Sequence, residues 1–225
     1  MMKRIAILVA VLGITLAAAA AEPEIVARAL DAADKDARKD WAYTMIVVED
    51  GKERIERFDP SRDVEHEWTL VKVESRKPTA GDIEDYRKTK ERRRESDDES
   101  SLRDMIQEGT LHLLREDDRQ AVYAFKVKGK DNKEQKMMDH VGAELHIDKT
   151  GPWVERLEMK SAGEFNPMMG VTIEHFAMTI TYIPIENGSV VPGRVETKVQ
   201  GKAFFIKTID SDVRITFSDY RYVGD

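Results

Sequence analysis

The stretch that decides the fold reads VGAELHIDKTGPWVERLEMK and occupies residues 141–160. In its first half Leu145 and Ile147 alternate with polar residues, and in its second half Leu157 and Met159 do the same. A two-residue period of this kind is typical of a β-strand with one buried face. The turn KTGP between the halves is too short for a crossover, so the two strands are predicted to be antiparallel.

The same alternation continues toward the C-terminus and predicts strands at 171–183, 195–199 and 213–218. Asn187-Gly188, between the first two of these strands, is a hairpin signal because both residues tolerate a positive φ. Short links of this kind favour an antiparallel meander. One face of the predicted sheet is apolar, so another part of the chain must cover it.

The N-terminal half of the chain contains a helix that could cover the apolar face of the predicted sheet. Residues 24–39 are predicted to form a helix whose apolar residues lie on one face, which suits packing on a sheet. Strands are predicted at 41–48, 55–58 and 66–73. The first of these is apolar on both faces, a pattern typical of a strand that is covered on both sides.

A second helix is predicted to begin after Thr79, the N-cap residue, with Asp82 at its third position. Residues 102–106 carry apolar residues at the spacing of a short amphipathic helix. The remaining predictions are strands at 110–114 and 121–127 and a charged loop at 128–136. With about ten strands, two or three helices and no dividing linker, the chain is predicted to be one domain of the α+β class.

Residues 87–101 contain no aliphatic or aromatic residue and include the basic run Arg92-Arg93-Arg94, which acidic residues follow. One interpretation is an arm that binds anionic head groups or an acidic partner. The other interpretation, which we favour, is a solvated helix and loop whose opposite charges pair locally. We therefore expect the segment to be exposed.

The N-terminal residues are typical of a targeting segment. The basic start MMKR precedes an apolar run at 5–16 and small residues at 17–21. This order predicts a periplasmic protein that is exported and cleaved after Ala21, with residues 22–225 as its single domain. The apolar run is shorter than the roughly 20 residues of a membrane span, and no later segment is long enough, so no transmembrane segment is expected in the mature protein.

The composition excludes several classes of function. The chain has no cysteine, which removes disulfides, a cysteine nucleophile and the residue that carries a lipoprotein anchor. It carries 43 Asp and Glu against 36 Lys and Arg, a balance that argues against nucleic-acid binding. We therefore expect a protein that is free of a lipid anchor and stabilised by its apolar core.

Motifs for catalysis are missing from the sequence. The five histidines show no H-x-H, H-x-x-H or H-E-x-x-H spacing, so no metal site is predicted. His140 follows Asp139 but is read as a loop residue. No serine lies in G-x-S-x-G, and no glycine-rich phosphate loop occurs. We expect a protein that is not an enzyme and has no cofactor, catalytic residue or metal.

Methionines are the more informative residues, and the pairs Met137-Met138 and Met168-Met169 are adjacent in sequence. One interpretation is a copper(I) site, but thioether ligands alone do not make one. A second is an adaptable apolar lining for a ligand of variable shape. The third is ordinary filling of the core, which we favour for any single methionine.

The order of elements resembles that of the periplasmic lipoprotein-carrier superfamily, the LolA/LolB type. Local sequences RFDPS at 57–61, WTL at 68–70 and KPT at 77–79 look like those of its uncharacterised exported bacterial members. The resemblance implies an open antiparallel half-barrel with helices packed on its concave face. It also implies a carrier of an acyl chain, a lipoprotein or another apolar ligand, with an envelope protein as a possible partner.

On this resemblance Arg57 is expected to lock a helical lid, because the carriers have an arginine on an early strand. The expected ligand-lining residues are Trp41, Tyr43, Met45, Trp68, Tyr123, Phe125, Leu157 and Met159. The alternative is a structural or regulatory interaction protein whose half-barrel is filled by its own helices. Both alternatives have the same sequence pattern, because a face covered by the protein's own helices and one that holds a lipid are equally apolar.

The targeting segment yields a first prediction. N-terminal sequencing of the protein recovered from the periplasm should begin at Glu22, because the small residues at 17–21 precede it. A membrane-bound product that retains Met1 would contradict the prediction.

Overall fold

An antiparallel sheet runs through the computed structural model, which describes residues 22–34, 40–96, 101–185, 188–204 and 206–224. The helices of these ranges are α1 (Glu24–Asp34), α2 (Ala80–Ser96) and α3 (Asn132–Met138), and a 3-10 helix covers Arg103–Met105. The strands are β1 (Trp41–Glu49), β2 (Lys52–Phe58), β3 (Trp68–Val73), β4 (His112–Glu116), β5 (Gln120–Lys126), β6 (Val141–Asp148), β7 (Trp153–Ser161), β8 (Phe165–Met168), β9 (Val171–Pro184), β10 (Val190–Ala203) and β11 (Lys207–Tyr222).

The strands of the described ranges lie in the order β3-β2-β1-β11-β10-β9-β7-β6-β5-β4, and β8 pairs with β9 beside this path. Neighbouring strands are antiparallel throughout. The sheet is open, with β3 and β4 at its two edges. The predicted fold class, an open antiparallel α+β half-barrel, is confirmed.

One row of residues shows how the apolar face crosses the sheet, because residues opposite one another in antiparallel strands point to the same side. The row runs through Tyr123, Leu145, Leu157, Ile180, Val195, Ile215 and Val47, each paired with the next. It crosses seven strands, from β5 to β1. We call this side of the sheet the apolar face.

Helix α1 covers part of the apolar face, as its predicted stripe requires. Val26, Ala29 and Leu30 are fully buried, and Ile25 and Ala33 pack beside them. The helix contacts β6, β7 and β10. Residues 35–39, which were predicted to continue it, lie outside the described residues.

Two predictions of local structure are wrong, and one strand was missed. Residues 128–136 are not all loop, because Asp131 caps α3 by accepting hydrogen bonds from the backbone of Lys133 and Glu134. Strand β8 was not predicted. On the face of β1 opposite Tyr43, Ala42 is buried but Thr44, Ile46 and Val48 are only half-buried. Asn187 of the predicted hairpin turn and the predicted cleavage site lie outside the described residues. No helix in the described ranges combines the length and hydrophobicity that crossing a membrane requires.

Candidate functional site

The predicted lining residues all lie on the sheet, but the structure divides most of them between two clusters. The helix-covered cluster, beneath α1, contains Tyr123, Phe125, Leu157 and Met159. The aromatic cluster contains Tyr43 and Met45, and Trp68 packs against it. Trp41 is buried at the start of β1, where its ring lies 5.5 Å from that of Tyr222.

Tyr43 is the centre of the aromatic cluster. Its ring centroid lies 5.1 Å from that of Phe58, 6.0 Å from that of Trp68 and 5.7 Å from that of Phe217. A fourth ring, that of Tyr220, lies 5.4 Å away, and its hydroxyl donates to the carbonyl of Pro192. Edge-to-face and tilted pairs at these distances stabilise a cluster beyond the area that they bury. The cluster therefore forms a rigid end to the apolar face.

A buried carboxylate, Glu56 of β2, lies beside the aromatic cluster with only 1% of its surface exposed. It faces the same side as Met45, its partner in the β1–β2 pair. Its Oε2 accepts from Lys90 Nζ at 2.8 Å and from the Tyr86 hydroxyl at 3.1 Å, while Arg54 Nε donates to Oε1 at 2.7 Å. Because Tyr86 and Lys90 belong to α2, Glu56 ties that helix to the sheet.

Electrostatic interactions keep the Glu56 carboxylate ionised, and we call its contacts with α2 the tether. Burial alone would raise the pKa of Glu56, but the ion pair with Lys90 and the contact with Arg54 outweigh burial and lower it. The pKa of Tyr86 is raised, first by burial and then by the Glu56 carboxylate, so its hydroxyl remains a donor. Lys90 Nζ also lies 3.2 Å from the centroid of the Trp68 ring, a cation–π contact. One lysine therefore joins the carboxylate, the aromatic cluster and α2.

Polar contacts also fix the start of α2, as predicted. The backbone of Asp82 donates to the Thr79 hydroxyl, and the Asp82 carboxylate accepts from the Thr79 backbone at 2.7 Å. This reciprocal pair is a capping box. Arg76 also donates to Asp82 at 2.6 Å, and these hydrogen bonds lower the pKa of the carboxyl. A cavity of about 250 Å³ remains between α2 and β3, where Trp68 lines it.

The charged segment differs from its predicted role in one respect. Local pairing is present, as between Lys88 and Glu84 at 2.7 Å, but Lys90 is mostly buried instead of solvated. Residues 97–100 lie outside the described residues. Arg57 is exposed on β2, and the contact from this strand to α2 is made by its neighbour Glu56. Lid locking by Arg57 stays a prediction.

Between the two clusters, the apolar face is only half-buried. We call this region the open trough, and define it by Phe176, Met178 and Ile180 of β9, Val195 and Val199 of β10, and Val213 and Ile215 of β11. The β9 residues pack against the helix-covered cluster and the β11 residues against the aromatic cluster. All seven side chains keep part of their surface exposed. The trough therefore lies between the helix-covered cluster and the aromatic cluster.

A second polar group, on the opposite face, brings His146 between Glu144 and Glu158. His146 Nε2 is buried without a hydrogen bond and lies 3.7 Å from a carboxylate oxygen of each glutamate. Sequence spacing missed this group because Glu158 comes from the neighbouring strand. Arg156 donates to His146 Nδ1 at 3.1 Å and pairs with Glu158 at 2.9 Å.

The charges around His146 indicate an ion-pair network rather than a metal site. Arg115 and Lys160 lie within 4 Å of Glu144 and Glu158 respectively, so both carboxylates have cationic partners. Burial, followed by the charge of Arg156, lowers the pKa of His146. A neutral imidazole that accepts from Arg156 at Nδ1 carries its proton on Nε2, between the two carboxylates.

Comparisons with known proteins add nothing to the description of the site. No protein-family model matches the chain, and no curated protein matches it. The chain is similar to the crystal structure of a LolA superfamily protein from Nitrosomonas europaea, with 89% of this chain and 92% of that chain covered, at a TM-score of 0.39 and 12% identity. This is the superfamily that the sequence layout resembles. At so low a TM-score, the fold class rests on the strand order described above.

Replacing Glu56 by glutamine should destabilise the protein by about 3 kcal/mol, because it leaves Lys90 and Arg54 without their buried countercharge. Chemical denaturation at neutral pH measures the change. Glu84→Gln, which breaks an exposed pair on α2, is the matched control and should cost about 0.5 kcal/mol or less. Equal losses of unfolding free energy in the two variants would contradict the role of Glu56 in holding α2 on the sheet.

His146 should make the protein less stable in mild acid. Its pKa is lowered in the folded state, so between that value and the usual value of about 6.5 the unfolded chain binds more protons. Stability should therefore fall as the pH decreases through this window, and His146→Gln should flatten the fall. Melting temperatures across the pH range measure the effect. The exposed His175→Gln is the control, and a similar flattening in that variant would contradict the assignment.

Proposed function

We propose that the protein is a periplasmic carrier or binding protein that holds an acyl chain, the acyl groups of a lipoprotein or a similar apolar ligand in the open trough. The observation that supports this proposal is the half-exposed row of apolar residues on β9, β10 and β11. An exposed apolar surface of this kind commonly marks a site of binding. Flexible Met178 lies in the trough, and methionine adapts to ligands of irregular shape.

The dimensions of the elements explain why the trough is only half-buried. The apolar row crosses seven strands and is about 29 Å wide at the usual strand spacing. Helix α1 has 11 residues and is about 16 Å long. It is therefore too short to cover the whole row, and α2 reaches the sheet at β3, beyond the far end of the trough. A long acyl chain has the shape to fill the remaining strip.

Burial of the ligand supplies the binding free energy. Each methylene that leaves water contributes about 0.8 kcal/mol. The burial of a long acyl chain therefore contributes more free energy than ordering the chain costs. The alternative function is an interaction protein whose apolar face is filled by its own helices or by a partner. The described residues of α1 and α2 leave the trough half-exposed, so we prefer the binding of an apolar ligand.

Titration with monomeric lysophospholipid tests the proposal. Trp41, Trp68 and Trp153 report binding, and the delipidated wild-type protein should show a saturable change in their emission. Val195→Glu places a charge on the middle strand of the trough and should raise the Kd at least tenfold, a loss of about 1.4 kcal/mol.

Thr181→Glu is the matched control, because it adds the same charge on the opposite face of the sheet between Arg156 and Arg194. Its Kd should stay within about twofold of the wild-type value. Native mass spectrometry of the purified protein should also detect bound lipid. A flat titration together with a ligand-free mass spectrum would exclude the carrier and favour the interaction protein.

A further inference from the structure

Two neighbouring hairpin turns at one end of the sheet expose large apolar side chains. In the turn between β8 and β9, Met169 is 96% exposed, and Met168 beside it is also exposed. In the turn between β10 and β11, Phe204 is 70% and Ile206 is 91% exposed. Glycine, asparagine and aspartate are the usual residues of such turns. Apolar residues here give up both favourable turn chemistry and burial.

The two turns form one surface, which we call the apolar tip. The backbone of Phe204 donates to the carbonyl of Gly170, and Ala203 pairs with Val171. A Cβ at Gly170 would lie only 2.9 Å from the ring of Phe204, so the turns are in close contact. Phe204 itself has a φ of 50°, a backbone conformation that is unfavourable for a bulky residue. The chain therefore retains a strained and exposed phenylalanine in a hairpin turn.

The apolar tip is continuous with the open trough. Along β10, Val195, Val199 and Ala203 point to the same side and lead from the trough to the turn. On β9, Ile173 and Val171 continue the line toward Met169. An apolar molecule that moves along this line meets these apolar side chains, with Thr197 and Gly201 between them on β10. Lys207, directly after Ile206, is exposed and places a cation beside the tip.

We propose that the apolar tip inserts into the interfacial region of a phospholipid bilayer, where the trough takes up or releases its ligand. This inference rests on the proposed function, because the trough is the destination of the ligand. A protruding turn offers a partner protein no groove to fill, whereas a bilayer accepts isolated apolar side chains at its interface. The cation of Lys207 then lies at the level of the lipid phosphates.

Flotation with vesicles of phosphatidylcholine and phosphatidylglycerol tests the inference. The wild-type protein should float with the vesicles, and Met169→Glu combined with Ile206→Glu should lower the partition coefficient at least tenfold. Leu113→Glu combined with Leu114→Glu is the matched control, since it removes two exposed leucines from edge strand β4 and adds the same charge. The control should float as the wild-type protein does.

Phe204→Asn gives a second test that does not depend on added charge. Asparagine tolerates the positive φ at this position, so the variant should be at least as stable as the wild-type protein while partitioning less onto vesicles. A wild-type protein that fails to float, or tip variants that float equally well, would overturn the inference. The inference would also be overturned if the apolar tip only joins two copies of the chain. In that case the wild-type protein would be a dimer that does not bind vesicles, and the tip variants would be monomers.

The lysophospholipid titration separates this inference from the proposed function, because it contains no bilayer. The tip variants should retain the wild-type Kd for monomeric lysophospholipid, and Val195→Glu should still float with vesicles. Vesicle binding that persists without any lysophospholipid binding would support the tip and count against the trough. Lysophospholipid binding without any flotation would support the trough and reject the tip.

Discussion

The pairing of β1 with β11 is the contact on which the rest of the structure depends. It places Val47 opposite Ile215, residues from the two ends of the chain. The pair joins the three N-terminal strands to the meander that follows them and so produces one apolar face instead of two. Without it, both groups of strands would present an unpaired edge of backbone N–H and C=O groups. The aromatic cluster also depends on this pair, because Tyr43 belongs to β1 and Phe217 to β11.

A face this wide needs more cover than its helices provide, and the two helices meet that need in different ways. Helix α1 buries an apolar stripe, so its packing on β6, β7 and β10 is stabilised by the area that it removes from water. Helix α2 has few apolar residues and is held by Glu56 through Lys90 and Tyr86. A buried ion pair contributes little net stability because desolvation offsets its attraction, but breaking it is costly. The contact therefore specifies where α2 docks more than it stabilises the fold.

Much of the fold could be predicted from the sequence, because alternation identifies strands with one apolar face. The prediction is good for β6, where Leu145 and Ile147 are fully buried as expected. It has no such basis for β2, where the only apolar residues, Ile55 and Phe58, lie on opposite faces of the strand. Glu56 faces the core because it pairs with Met45 of β1. The sequence of β2 alone does not determine this pairing. The contact made by Lys90 could not be predicted either, because a helix without an apolar stripe does not indicate which of its residues contacts the sheet.

The candidate site was less predictable than the fold for a related physical reason. Sequence periodicity identifies apolar positions, but it does not tell which of them a helix will cover. The eight residues expected to line the site are buried or, like Trp68, packed in the aromatic cluster, whereas the open trough consists of other positions on the same face. The turn at Phe204 could not be predicted either, because it lacks the glycine or asparagine that is typical of a hairpin turn. Positions that break a local rule, such as buried Glu56 and exposed Phe204, are where natural chains commonly give up stability for function. Here one lies beside the aromatic cluster and the other at the tip to which the trough leads, which gives the apolar face a closed end and an open one.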